Sequence, residues 1–200
     1  MINRRVFLEA AAIAALPTVA GASQRVDGSP EIVPPPGTAH AALIDERFAE
    51  SRRAGANLAA GGIAVHSIPD GDVTQIWLNH VGPAWTQQPV TIVGLTARPA
   101  LFCLEQFALG LGLRVIFHVE HVVHPEGRTE HRLLRGAEAA SLSARDLTLA
   151  GWLWPARIAE VLAMHPGKPG DARFGPSDAA LSPTLPAGAQ LLNSWIIAAA

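Results

Sequence analysis

Residues Pro89 to Val123 (PVTIVGLTARPALFCLEQFALGLGLRVIFHVEHVV) read as strand, helix, strand, and no other stretch constrains the fold so tightly. The β-branched run Val90, Thr91, Ile92 and Val93, set in the apolar stretch Pro89 to Leu95, is the pattern of a strand buried on both faces. Thr96 then offers a hydroxyl as a helix N-cap. Ala97, Arg98 and Pro99 form the first turn, where proline is tolerated because those amides lack an intrahelical partner. On a helical wheel Ala100, Leu101, Leu104, Phe107, Ala108 and Leu111 share a stripe about 120° wide, which predicts a helix laid on a sheet. Gly110 and Gly112 stop that helix, and Leu113 to Phe117 starts the next apolar strand. The unit therefore predicts a right-handed parallel crossover.

The flanking segments extend the same alternation. Ala41 to Ile44 reads as a first strand, with Asp45 capping a helix from Glu46 to about Ala60, and Ile63 to Ile68 reads as a second strand. Asp72 caps a short helix carrying Val73, Ile76 and Trp77, and Gly82 to Gln88 leads into the central unit. Beyond Val123, Pro125-Glu126-Gly127 is turn chemistry. It sets His121 opposite His131 and Glu120 opposite Arg132, with His118, Glu120, Glu130 and Arg132 on one face. Ala137 to Ala150 is helical in part, Pro155 to Met164 is a helix, His165 to Gln190 is a proline- and glycine-rich connection, and Leu191 to Ala199 is a closing strand. The whole predicts an α/β fold: a three-layer sandwich with a mostly parallel sheet in flavodoxin-like order, plus a β-hairpin and a C-terminal strand, in one domain over residues 41–200.

The first residues stand apart from that fold. Arg4 and Arg5 precede an uncharged run from Ala10 to Ala22, and Ala20-Gly21-Ala22 has the small-residue form of a cleavage site. Arg4-Arg5-Val6-Phe7-Leu8 resembles the R-R-x-F-L core of a twin-arginine (Tat) export signal. That resemblance implies recognition of Arg4, Arg5, Phe7 and Leu8 by the Tat translocase, cleavage after Ala22, and a folded protein delivered to the periplasm without a stable membrane anchor. Residues 23–40, with Pro34-Pro35-Pro36, read as an extended linker. A single cysteine, Cys103, excludes an internal disulfide, and a formal net charge of −2 gives no basic excess for nucleic acid.

Chemistry is sought beyond the carboxyl ends of the parallel strands, where open α/β sheets bind ligands. That rule selects Asp45, Ser67, Thr96, Arg98 and Glu120 as ligand-binding candidates, with His66, Asp70 and Asp72 beside Ser67; Cys103, on the helix, would be a catalytic nucleophile with His66 as its base. Each has a plainer reading: Asp45, Asp72 and Thr96 as N-caps, and Cys103 as a buried thiol at the margin of its helix stripe. Arg98 is the unusual choice, since a cation at a helix N-terminus opposes the helix dipole, and with the free amides there it would hold a small anionic ligand. Half of the eight histidines, His118, His121, His124 and His131, crowd the hairpin. His121 and His131 would hold Zn or Cu across it with a third ligand from elsewhere, or else lie on a polar hairpin with Glu120 and Arg132 paired. No Walker loop, strand-linked G-x-G-x-x-G or G-x-S-x-G elbow is present.

Three function classes remain. The first is a non-catalytic accessory or ligand-binding partner of an exported oxidoreductase, supported by the leader and by tryptophans expected at the surface, Trp85, Trp152 and Trp154. The others are a metal- or thiol-dependent enzyme and a structural envelope protein.

Overall fold

The computed structural model describes residues 39–136, 141–164 and 185–199. The leader and its cleavage site, the linker through residue 38 and residues 165–184 of the late connection lie outside the described residues. Six strands form one open sheet in the order β2-β1-β3-β6-β4-β5. They are β1 (Ala41–Asp45), β2 (Ala64–Ile68), β3 (Ile92–Ala97), β4 (Leu113–Val123), β5 (Thr129–Arg135) and β6 (Gln190–Ala199). β1 pairs in parallel with β2 and β3, whereas β3–β6, β6–β4 and β4–β5 are antiparallel.

The protein is thus α/β with a mixed sheet, and the expectation of a mostly parallel one is corrected. β3 and β4 do run parallel to each other, as a crossover requires, but β6 is threaded between them. The physical reason lies in β6 itself: Leu192 to Ala198 are all buried, so this strand needs a neighbour on each edge and a layer on each face. The partly exposed strands β2 and β5 take the edges instead.

Helices cover both faces. On one side α1 (Ala49–Ala60), α5 (Ala144–Ala150) and α6 (Trp154–Ala163) bury Leu58, Leu147, Ile158 and Leu162 against Val93, Leu95, Val119 and Ile196. On the other, α4 (Arg98–Gly110) brings Ala100, Leu101, Leu104 and Ala108 onto Ile92, Val115, Trp195 and Ile197. That second layer is completed by α2 (Thr74–Ile76), a π-helical turn (Trp77–Val81) and α3 (Gly82–Gln87), which run on without a break. Pro83 has no N–H to donate to the carbonyl one turn back, and a widened turn ahead of it accommodates the misfit. Of the tract Gly82–Gln88, expected to lead into the central unit, Gly82–Gln87 is helical and Gln88 is extended. Gly94 leaves room for the Trp195 indole: a Cβ there would collide with Cζ2 of that ring and stand 2.8 Å from the Leu43 carbonyl oxygen.

The hairpin has the expected register, Glu120 against Arg132 and His121 against His131. Two capping expectations are corrected. Asp45 is the last residue of β1 and α1 begins only at Ala49. Thr96 lies inside β3, paired with Asn193, so that Ala97 takes the N-cap position of α4. Trp85 and Trp154 are buried, and only Trp152, 74% exposed, meets the expectation of surface tryptophans. Cys103 is exposed rather than buried, since it falls outside the sector formed by Ala100, Leu101, Leu104 and Ala108.

Candidate functional site

The carboxyl ends of β1, β3 and β4 bring Asp45, Thr96 and Glu120 to one end of the sheet, with Arg98 starting α4 beside them. Asp45 is fully buried and spans the β1–β3 gap. Its carboxylate accepts from Arg47 Nε (2.9 Å) and Nη2 (2.7 Å) and, at 3.4 Å, from the Ala97 amide. The hydrogen bond to Asp45 in turn raises the Arg47 guanidinium above its ordinary pKa. Ser51 of α1 closes the knot, accepting from the Asp45 amide (2.8 Å) and donating to the Leu95 carbonyl. Asp45 is therefore a fastener between strand ends, with its oxygens already engaged.

One strand further along, alternation places Asn193 on the α4 face, in step with Trp195 and Ile197. Asn193 is wholly buried and lies level with Thr96 on one side and Glu120 on the other. His118 Nε2–H donates to Asn193 Oδ1 (2.8 Å), which leaves His118 Nδ1 as a bare acceptor when the ring is neutral. Burial pushes the His118 pKa down, Arg98 pushes the same way, and Asn193, Glu120 and Glu105 oppose it. The Thr96 hydroxyl accepts from Trp195 Nε1 (3.0 Å), and Glu120 accepts from Arg132 Nε (2.9 Å). After all these contacts, Asn193 Nδ2 remains buried without a hydrogen-bond partner.

The opposite face of the hairpin carries a second network. His121, fully buried, stacks on Trp154 with ring centroids 4.3 Å apart. Its Nε2 meets Ser194 Oγ at 2.8 Å, and its Nδ1 is hydrogen-bonded to His131 Nδ1 at 2.7 Å. Burial lowers the His131 pKa to about 4. It also lowers that of His121 well below the ordinary range, with His131 and then His118 adding to the effect. The order serine, histidine, orienting group is that of an activated nucleophile. Here Ser194 and His121 are wholly buried, with the His121 ring packed on Trp154. The pair does not fit a metal either. Two nitrogens on a tetrahedral zinc stand about 3.3 Å apart, and among the described residues no three His, Cys, Asp or Glu side chains are grouped to hold an ion.

His66 lies in the middle of β2 and stacks on His80 of the π-helical turn, centroids 4.1 Å apart, in an open pocket that His40 and Asn79 also line. Burial lowers its pKa, and His80 and His40 lower it further. Among the described residues no hydrogen bond joins His66 to Cys103. Ser67 is half-buried in β2 opposite Ile44, away from the Asn193 cluster.

Family models, curated proteins and solved structures yield no match to this chain. Sequence reasoning missed Asn193 and Ser194, although LLNSWIIAA carries a signal: two adjacent polar residues in an otherwise apolar strand send one polar side chain into each layer.

Proposed function

We propose that the chain is an exported, non-catalytic accessory protein that holds a small anionic ligand beyond the carboxyl ends of β3 and β4, at the first turn of α4. The observation that carries this reading is the unpartnered Asn193 Nδ2, a buried donor whose unmade hydrogen bond costs about 1–3 kcal/mol and is recovered when a ligand oxygen accepts from it. The first-turn amides of Arg98 and Ala100 lack intrahelical partners, the helix dipole favours negative charge there, and Arg98 lends its own cation. Glu120 does not repel the ligand, because Arg132 neutralises it.

The twin-arginine-like leader supports delivery to the periplasm and an accessory role beside an exported oxidoreductase. Among the described residues no helix is long and apolar enough to cross a membrane. The test is a thermal-shift titration with inorganic phosphate and with succinate. One of the two raises the melting temperature saturably, and Asn193→Leu, which keeps the volume but removes the donor, abolishes the rise. No saturable rise with either anion, or a rise that persists in the folded variant, refutes the proposal.

A further inference from the structure

The outer face of α4 has a second feature, which shares only Arg98 with the proposed ligand site. Its outward residues are Pro99, Phe102, Cys103, Gln106, Leu109 and Gly110, with no charge among them, and Phe102 and Leu109 are 53% and 45% exposed. Phe107 borders this face and stacks on Trp77 at 4.3 Å, with Leu78, 58% exposed, on the adjoining turn. A helix apolar on nearly every side belongs in an interior, and a contiguous apolar patch of this kind marks a surface that another molecule covers.

The charges beside the patch say which molecule. Arg98 and Glu105 are seven residues apart and so share one edge of α4, about 10.5 Å from each other along the axis, and both act on His118 beneath that edge. An antiparallel copy of the same helix, related by a two-fold axis, presents the opposite sign at each position. From these complementary edges we infer that the outer face of α4 docks a second copy of this chain, with each Arg98 beside the other copy's Glu105 and Phe102 at the centre of the contact. The five N–H groups of a guanidinium leave Arg98 donors for a ligand as well.

Sedimentation velocity over a range of concentrations tests the inference. The purified protein sediments as a dimer, and Phe102→Arg, an exposed substitution that leaves the circular dichroism spectrum unchanged, yields a monomer. Arg98→Glu and Glu105→Arg each weaken the dimer by about tenfold, and the double reversal restores it. A chain that stays monomeric at all concentrations, a dimer that survives Phe102→Arg, or a double reversal no tighter than the single variants overturns it.

Discussion

Acidification between pH 6.5 and 4 should destabilise the fold through the His121–His131 pair, in a window above that in which carboxylates ordinarily act. Burial brings the His131 pKa from 6.5 down to about 4, so the native state resists a proton that the unfolded chain accepts. The sign follows: stability is full above pH 6.5, falls as pH drops through the window, and loses no more from this group below about pH 4. A displacement of that size corresponds to about 3 kcal/mol, and solvent screening of the partly exposed His131 ring brings it to about 1–2 kcal/mol. His121, fully buried and lowered for the same first reason, adds in the same direction, as do His118 and His66. The exposed carboxylates with lowered pKa values, Asp72, Glu130 and Asp146, lose their partners only below the ordinary carboxylate range. Urea unfolding at pH 7, 6 and 5 measures the slope. His131→Gln, which still hydrogen-bonds His121 but does not titrate, flattens it. Equal stability at pH 7 and pH 5 in the parent protein, or an unchanged slope in the variant, would refute the reasoning.

Other outcomes follow from contacts already described. Gly94→Ala drives a methyl into the Trp195 ring and the Leu43 carbonyl, and destabilises by about 3 kcal/mol in thermal or urea melts, the strand backbone being unable to retreat. Asp45→Ala strips Arg47 and the Ala97 amide of their acceptor and costs about 1–3 kcal/mol, with amide exchange accelerating first at the β1–β3 end. Ser143→Ala removes the capping box with Asp146 at the start of α5 and lowers stability by about 1 kcal/mol.

What was legible in the sequence is what local chemistry fixes. The hairpin register follows from a Pro-Glu-Gly turn and strict alternation, and it placed Glu120 on Arg132 and His121 on His131. The central strand–helix–strand unit follows from periodicity. The position of β6 follows only in part: its apolar run asks for an interior place, but which two strands it lies between is set by the edges and faces left uncovered once the other elements have packed. The same non-local choice hid the candidate site: Asn193 and Ser194 become partners of His118 and His121 only because β6 lies beside β4. The capping readings of Asp45 and Thr96 failed for a related reason. The Asp45 carboxylate is taken by the Arg47 guanidinium and, at longer range, the Ala97 amide, and the Thr96 hydroxyl by the distant Trp195 indole. On α4, the stripe reading located Ala100, Leu101, Leu104 and Ala108 on the buried side, but it also placed there Phe107 and Leu111, which are exposed, and gave no account of Phe102 and Leu109.

The most direct test of the proposed binding role is the native mass of the protein taken from the periplasm without a tag or chelator, measured beside Asn193→Leu. The expected result is a chain beginning after Ala22 that carries one small acidic molecule, absent from the folded variant. A bare mass for the parent protein, or the same adduct on both, would contradict the claim that Asn193 and the first turn of α4 form a binding site.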